Sequence, residues 1–381
     1  MQLKKGDSKR EKIDIKPQFP TTENQTFNFK NNKLRTDNNF FRQEQRIDPE
    51  KIYNEVFNKV NDPEVLDEIK SIYNFSNNNS FIESFKENYV SNIDKSSIFN
   101  RTIVENLDDE EIYTIAAETI VLKFGRPSLL IKKDKVEIPE SEVWKKRLNT
   151  HIFSIEQNIP NVGRIELINH SHYDWCGTGW LIKDTNFIVT NRHVARVFSQ
   201  LGTSNHFRFR YNLDGKKVQP FIDFKEEYRE PDEATFRLEK VVYISKENEP
   251  DVAILEVNSN NYDNDVLPVG LEISDTPIIN DDFVYTIGYP AKDSRIVDSS
   301  LMERIFKGVY NVKRLAPGTA NNITQPHLFQ HNCSTLGGNS GSPVINLKTG
   351  KVIGLHFAGT YRKYNWAVES DFLNSLLHQL S

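Results

Sequence analysis

Residues 337–343 have the composition of a tight turn that exposes a nucleophile. They read Gly-Gly-Asn-Ser-Gly-Ser-Pro, and an apolar run follows them. The glycines let the backbone bend sharply and leave room for a carbonyl group to approach Ser340. The same turn can aim the N–H groups of Gly338 and Ser340 at one point, as an oxyanion hole requires. Because a serine hydroxyl is a weak nucleophile, this chemistry needs a base and a group that orients the base.

Two upstream segments supply candidates for these two roles. His193 follows the apolar run 187–190, and the pattern predicts it at the end of a strand, after a strand at 177–182 and a turn. Asp251 stands before the apolar run 252–255, at the mouth of a predicted buried strand. A carboxylate in that position can accept a hydrogen bond from an imidazole N–H and stabilise the imidazolium.

The order of these three residues narrows the class of enzyme. His193, Asp251 and Ser340 are separated by 58 and 89 residues, and this order is that of the chymotrypsin class. The spacing suits two six-stranded barrels, with the histidine and the aspartate on the first and the serine on the second. The Gly-x-Ser-x-Gly elbow of α/β-hydrolases is excluded, because Ser342 occupies the place of its second glycine.

Each segment also has a purely structural interpretation. Gly-Asn-Ser-Gly alone is typical of a hairpin turn, and a lone histidine at a strand end is commonly a solvated or core residue. Asp251 alone is compatible with a residue that caps a strand, and Asp223 and Asp265 compete with it for the orienting role. The catalytic interpretation therefore depends on the joint occurrence of the segments.

Taken together, the segments resemble a known family. The chain is similar to bacterial chymotrypsin-fold (trypsin-like) serine endopeptidases, especially the glutamyl endopeptidases and the intracellular trypsin-like peptidase domains. The resemblance covers about residues 160–381 and rests on the segments around His193, Asp251 and Ser340 and on residues 287–290 and 352–359. It implies a double barrel in which the three residues form a triad, with neither a metal nor an organic cofactor.

The same resemblance suggests where the substrate side chain binds. It places the base of the first specificity pocket at Ser334, six residues before Ser340, so the chain lacks the aspartate that selects Arg or Lys. Thr335, His356 and Gly359 are implied to be substrate-binding residues. Thr335 and a protonated His356 can hold a carboxylate through charge-assisted hydrogen bonds. In the alternative interpretation, His356 packs within its strand and the pocket takes small or apolar side chains.

The elements that must position these residues define the expected architecture. We predict an α+β multidomain protein, an all-β chymotrypsin-like double barrel preceded by a small helical region. The expected divisions are a disordered basic tail at 1–46, a helical N-terminal region at 47–125, a connecting hairpin and helix at 126–159, and a trypsin-like serine protease domain at 160–381. The tail is polar and holds 11 Lys and Arg against 6 Asp and Glu, which favours disorder.

Local patterns predict the elements before the barrels. Residues 48–50 and 62–64 each read Asp-Pro-Glu, which is typical of a helix start. In the connector, the charged turn 132–135 lies between two apolar stretches, as in a hairpin, and residues 141–148 have a helical pattern. Residues 1–125 carry no catalytic motif. They are interpreted either as a structural cap or as a site for a regulatory protein partner.

Composition limits the partners and the compartment. The 381 residues are 37% hydrophobic and carry a net charge of −5, which argues against binding of nucleic acid. No apolar segment approaches membrane-spanning length, and charged residues rather than an apolar signal core follow Met1. Cys176 and Cys333 are expected to be free, since Val194 stands where secreted members of the class often place a bridging cysteine. We therefore expect a cytoplasmic protein without a membrane partner.

These observations predict a serine endopeptidase that hydrolyses protein or peptide substrates through an acyl-enzyme, with acidic specificity and control by the N-terminal region as its finer features. The alternative from another class is a protease-like module that binds a peptide, or regulates a partner, without turnover.

Overall fold

The structure is a computed structural model that describes residues 126–202, 206–261, 265–292, 305–322, 325–360 and 364–380. The basic tail and the helices predicted within residues 1–125 lie outside the described residues. Among the helices of the described ranges, none is long and apolar enough to cross a membrane.

A hairpin and two helices lead into the barrels. They are β1 (Leu129–Lys132), β2 (Lys135–Val136), α1 (Glu142–Thr150) and α2 (Ile152–Asn158), followed by a 3-10 turn, Ile159–Asn161. Lys133 and Asp134 turn the hairpin with φ values of 53° and 56°. Ser141 caps α1 by accepting a hydrogen bond from the backbone N–H of Trp144 at 3.3 Å. A hairpin and helices therefore lie within residues 126–159 of the structure.

Six antiparallel strands close the first barrel. In chain order, this part of the fold contains β3 (Val162–Ile168), β4 (Trp175–Leu181), β5 (Phe187–Thr190), α3 (Arg192–Phe198), β6 (Ser199–Leu201), β7 (Phe207–Phe209), β8 (Gln219–Asp223), β9 (Thr235–Ile244) and β10 (Ala253–Val257). The barrel order is β10-β5-β4-β3-β8-β9, and β6 and β7 form a separate hairpin. Fully buried apolar residues, among them Ile165, Ile188 and Leu255, fill the interior.

A second closed ring follows. Its strands are β11 (Asp282–Gly288), β12 (Arg314–Asn322), β13 (Leu328–His331), β14 (Pro343–Asn346), β15 (Val352–Thr360) and β16 (Tyr364–Glu369), and α4 (Ser370–Leu380) ends the described chain. The order is β11-β14-β15-β16-β13-β12, and pairing of β11 with β12 closes the ring. β1 adds to the outer edge of β12, so the connector hairpin extends this sheet. The predicted double barrel is therefore confirmed.

Buried residues hold the two barrels and the connector together. Trp144 and Leu148 of α1 share one apolar core with Trp180 of the first barrel and Tyr285 of the second. Lys313 crosses the same junction, where its buried ammonium donates to the backbone carbonyl groups at positions 159 and 224, at 3.2 and 2.6 Å. Burial lowers the pKa of Lys313 to about 8. The candidate site lies at the junction that these contacts hold.

Candidate active site

His193 and Asp251 form a hydrogen-bonded pair on the first barrel. His193 Nδ1 lies 2.5 Å from Asp251 Oδ2, and the backbone N–H of His193 donates to Asp251 Oδ1 at 3.1 Å. The imidazole is 31% exposed, whereas the carboxylate is only 5% exposed. One carboxylate thus fixes both the ring and the backbone of His193, while the ring keeps access to the surface.

The strand predicted to end at His193 stops earlier, so that prediction is wrong in detail. β5 ends at Thr190, and His193 occupies the first turn of α3. Asn191 makes the change of direction with extended backbone angles, φ −83° and ψ 152°. Its side-chain amide donates to the backbone carbonyl of Asp251 at 2.8 Å instead of capping the helix. The helix start therefore directs His193 toward the loop that carries Asp251.

Arg192 gives this half of the site a buried positive charge. Its guanidinium donates to the carbonyl groups of Lys246 and Glu249 at 2.5 and 3.1 Å, and its Nε lies 3.9 Å from Asp251 Oδ1. Burial by itself would raise the pKa of Asp251. The adjacent His193 ring and the Arg192 charge more than offset this effect, so that the pKa of Asp251 lies below its ordinary value. Asp251 is therefore ionised beside the imidazole.

The two competing aspartates lie in other environments. Asp223 Oδ1 accepts hydrogen bonds from the backbone N–H groups of Lys225 and Ala234, both at 2.9 Å. Asp265 lies in an exposed loop and accepts from Asn261 at 2.7 Å. Of the three candidates, Asp251 is the one that the structure joins to His193.

The Ser340 turn depends on two glycines with left-handed backbone angles. Gly338 and Gly341 both have φ values of 90°. A Cβ atom at Gly338 would collide with the backbone oxygen of Tyr289, and one at Gly341 would collide with the backbone oxygen of Thr178. Both glycines are thus required by the conformation and by the close approach of neighbouring backbone.

Thr178 holds this turn from the first barrel. Its backbone N–H donates to the carbonyl of Ser340 at 2.9 Å, and its hydroxyl donates to the carbonyl of Gly338 at 2.8 Å. Thr190 in turn donates its hydroxyl to the carbonyl of Thr178 at 2.8 Å. Strand β4 of the first barrel therefore helps to determine the shape of the Ser340 turn in the second barrel.

The amides of the turn keep their hydrogen-bonding capacity. Within the described residues, the N–H groups of Gly338 and Ser340 donate to no acceptor. Such unpaired donors at one turn can stabilise a developing negative charge on an oxygen. The predicted oxyanion-hole residues thus lie in a conformation that suits this role.

Ser340 and His193 lie on neighbouring elements. Gly177 of β4 separates them, because a Cβ built there would be 2.9 Å from the Val194 side chain and 3.1 Å from the carbonyl oxygen of Ser340. Among the hydrogen bonds of the described residues, none joins Ser340 Oγ to His193 Nε2. Catalytic hydrogen bonds are often long in unliganded enzymes and tighten when substrate binds.

The predicted specificity residues fall into two groups. Ser334 donates its hydroxyl to the carbonyl oxygen of Arg126 at 2.6 Å, so its polar group contacts the connector. Thr335 and Gly359 are neighbours, since a Cβ at Gly359 would be 4.0 Å from Thr335 Oγ1. Asn365 fixes this region by donating to the carbonyl of Cys333 at 2.6 Å. The pocket region is therefore tied to both the second barrel and the chain that precedes the barrels.

His356 lies on β15 and is buried against a second histidine. Its Nδ1 is 3.1 Å from Nε2 of His331, and the side chains of both residues are nearly inaccessible. Burial, with a smaller effect of His193, lowers the pKa of His356 to about 3. Burial, with the adjacent His356 ring, also lowers the pKa of His331 well below its ordinary value. In the absence of a ligand both rings are therefore neutral at physiological pH.

Three carboxylates near the barrel junction lie close enough together to be compared with a metal site. Glu166, Asp223 and Glu226 place ligand atoms within 4.8 Å of one another. Arg164 forms ion pairs with Glu166 at 2.5 Å and with Glu226 at 2.7 Å. The guanidinium thus supplies positive charge to the cluster, which accounts for it as an ion-pair network. The two cysteines, Cys176 and Cys333, are free and buried.

Three residues of the site are not apparent from the sequence patterns. Arg192 and Thr178 are part of recognised segments, but Lys246, a partner of Arg192, and Gly338, a partner of Thr178, are 54 and 160 positions away along the chain. His331 stands in a strand without any motif, and its only signal is a second histidine in a later strand. Each contact depends on strand register in the closed barrels.

Comparison with known proteins found a family match, a related sequence and a similar solved structure. Residues 177–355 match the family described as trypsin-like peptidase domain. A glutamyl endopeptidase of Staphylococcus epidermidis is 29% identical over 239 residues, which cover 58% of this chain and 72% of that protein. A serine endoprotease structure from Yersinia pestis aligns with a TM-score of 0.41 at 17% identity. That alignment covers 60% of this chain and 66% of the Yersinia chain, just under two thirds of its length. The family match extends from the first barrel into the second, so residues 177–355 of this chain form a trypsin-like peptidase domain.

Proposed function

We propose that the chain hydrolyses peptide bonds through a triad of Ser340, His193 and Asp251. Ser340 Oγ attacks the scissile carbonyl carbon while His193 Nε2 takes its proton, and the resulting imidazolium then protonates the leaving amine. Water, deprotonated by His193, attacks the acyl-enzyme ester and regenerates the Ser340 hydroxyl. The N–H groups of Gly338 and Ser340 stabilise the oxyanion in both steps.

The double contact between His193 and Asp251 carries this proposal. Because Asp251 is ionised and accepts from Nδ1–H, the neutral imidazole keeps its lone pair on Nε2, where a general base needs it. The hydrogen bond from the His193 backbone to the same carboxylate restricts rotation of the ring relative to Asp251. The hydrogen bond from Ser340 Oγ to His193 Nε2 is expected to form when substrate binds.

Preference for an acidic residue before the scissile bond is the finer part of the proposal. Three groups of the second barrel can line the pocket for this side chain. They are the hydroxyl of Thr335, the imidazole of His356 and the backbone of Gly359, which has no side chain to fill the space. A relative is named glutamyl endopeptidase. His356 is neutral in the free enzyme, and a neutral imidazole can still donate one N–H to a substrate carboxylate. The alternative is a pocket for small or apolar side chains.

Control by residues 1–125 is proposed to act through the connector. Arg126 accepts a hydrogen bond from Ser334, and the Arg126 guanidinium donates to the carbonyl of Asn332 at 3.4 Å. A change in the position of this segment would therefore act on the specificity region. Asn339, which carries no charge, replaces the aspartate that pairs with a freed amino group in digestive enzymes. We therefore propose that activity is controlled by a conformational change and does not require cleavage near residue 160. The location of the protein in the cytoplasm stays a separate prediction.

A fluorophosphonate probe tests the enzyme and its control together. The probe is incubated with the full chain and with the Ser340→Ala variant, each with and without candidate protein activators, and the labelled residue is identified by mass spectrometry. We expect label on Ser340 and none in the variant. Labelling that requires an activator supports control by the N-terminal region. No labelling under any condition, with a folded protein, would support the peptide-binding module instead.

A further inference from the structure

His331 is a buried titratable residue that the proposed mechanism leaves unused. It lies on β13, and its ring meets the ring of His356 edge to face, with centroids 5.2 Å apart. β16 lies between β13 and β15, and Ala367 of β16 pairs with His356. Because alanine is small, the two imidazoles can meet across this strand. Their contact, from His331 Nε2 to His356 Nδ1, is the one hydrogen bond that either ring forms within the described residues.

The hydrogen bond between two neutral rings allows two arrangements. In the first, His331 Nε2–H donates to His356 Nδ1, which leaves an N–H on Nε2 of His356. In the second, His356 Nδ1–H donates, and Nε2 of His356 carries only a lone pair. Since His331 Nδ1 has no partner among the described residues, the second arrangement buries an unpaired N–H there, whereas the first buries an unpaired lone pair.

Two considerations favour the first arrangement. Orphaned N–H groups are the rarer kind of buried unpaired group. In addition, neutral histidine in water favours the Nε2–H form, and the first arrangement keeps both rings in that form. His356 Nε2 is not among the fully buried atoms that lack a partner, so it retains contact with the outside of the barrel. The little exposure that His356 retains therefore includes this donor, which a substrate group can reach.

We propose that His331 is a specificity-positioning residue that holds His356 as the Nε2–H tautomer, so that His356 donates a hydrogen bond to the carboxylate of an acidic substrate side chain. The inference rests on the proposed acidic preference and names the residue that produces it. A carboxylate can only accept, so the opposite tautomer would present a lone pair to a lone pair. His331 is required for discrimination between charged and uncharged side chains and is not required for the chemistry at Ser340.

The test compares two fluorogenic peptides that differ only in Glu or Gln before the scissile bond. The measured quantity is the ratio of kcat/KM for Glu over Gln. His331→Phe is expected to lower this ratio about tenfold or more, with kcat/KM for the Gln peptide within about twofold of the wild-type value. His331→Gln, whose side-chain amide can donate to His356 Nδ1, is expected to recover most of the ratio. His327→Phe is the matched control, because His327 is exposed and pairs with Asp371 away from the pocket.

A second measurement does not depend on the folding of the His331 variants, because it is made with both histidines present. Nitrogen-15 spectra of histidine-labelled Ser340→Ala protein report which nitrogen of His356 carries the proton, and Nε2–H is the expected result. A proton on Nδ1 would overturn the inference, and so would an unchanged Glu-to-Gln ratio in folded His331→Phe. If the wild-type enzyme itself shows no preference for Glu, then the acidic specificity of the proposed function fails, a result that is distinguishable from failure of His331 alone.

Discussion

The two barrels build their halves of the candidate active site by different means. The first barrel uses charged and polar side chains, with Arg192, Asp251 and His193 in contact with one another. The second uses backbone, because the Ser340 turn depends on glycines with positive φ and on hydrogen bonds to carbonyl groups. The geometry of the first half therefore depends on which side chains are present. The geometry of the turn that carries Ser340 depends on glycines, which have no side chain. This difference predicts which kind of substitution damages each half.

The largest expected effect is loss of the reacting groups. Ser340→Ala and His193→Ala are each expected to reduce kcat by on the order of 10⁶. The nucleophile and its base act together, so loss of either one abolishes the contribution of both. Ser342→Ala is the matched control, since its buried hydroxyl lies only two positions from the nucleophile. Hydrolysis of a peptide substrate by each purified variant, with thermal unfolding to verify the fold, measures the effect. Activity of Ser340→Ala near the wild-type value would remove Ser340 from the mechanism.

Asp251→Asn tests whether charge governs the first half of the site. The amide preserves the size of the side chain but removes the negative charge and can donate to the wrong tautomer of His193. We expect kcat to fall by on the order of 10⁴ with little change in fold. Asp223→Asn and Asp265→Asn serve as comparisons, and their steady-state kinetics are expected to stay near those of the wild type. Turnover of Asp251→Asn near the wild-type value would transfer the orienting role to one of those two.

Gly341→Ala tests whether backbone governs the second half. A Cβ atom there would collide with the backbone of Thr178, and alanine disfavours the φ value of 90°. We expect a fall in kcat/KM of about 10² or more, through displacement of the oxyanion-hole amides. Gly215→Ala is the matched control, because Gly215 has φ 72° but faces open space. Equal kinetics for the two variants would contradict the role assigned to the turn.

These two halves also differ in how far the sequence predicts them. The Ser340 turn, the barrel that contains it and Asp251 follow from local glycine and apolar patterns, since those patterns specify turns and strands directly. The position of His193 on α3 was missed, because the apolar run 187–190 resembles a strand and nothing local marks where the strand stops. Turn chemistry thus transfers from sequence to structure more reliably than an element boundary does.

Contacts between distant strands were the part that the sequence left open. β1 pairs with β12, although Leu129 and its partner Leu315 are far apart in the chain. The meeting of His331 and His356 likewise depends on the register of β13, β16 and β15. A shift of one residue in any of these strands would turn one imidazole to the other face of the sheet. Only the closed barrel determines such pairs.

Arg192→Met tests the charge of the first half more gently. Methionine keeps an apolar stem in the buried site but removes the guanidinium, leaving the carbonyl groups of Lys246 and Glu249 without that donor. We expect a loss of roughly 1–3 kcal/mol in the free energy of unfolding and a higher pKa for Asp251. Urea unfolding and the pH dependence of kcat/KM measure the two effects. Arg196→Met, one turn along the same helix and more exposed, is expected to change neither.

The last effect concerns the buried histidines of the second half and appears in stability rather than in rate. Burial lowers the pKa of His356 to about 3 and that of His331 well below its ordinary value. The unfolded chain takes up protons on these residues below about pH 6.5, whereas the folded chain does not, so the folded state loses stability as the pH falls from about 6.5 toward 3. An imidazole that stays unprotonated in the folded chain contributes up to about 1.4 kcal/mol per pH unit below about pH 6.5.

His331→Phe removes one of the two rings and isolates its contribution. Urea unfolding of the variant, made in the Ser340→Ala background to prevent autolysis, is expected to show a weaker loss of stability between pH 6.5 and pH 4 than the parent protein shows. His327→Phe, which replaces an exposed ring, is expected to match the parent. Parallel curves for all three proteins would mean that the buried pair takes up protons in the folded state. The second barrel would then hold a buried charge, as the first barrel does at Arg192 and Asp251.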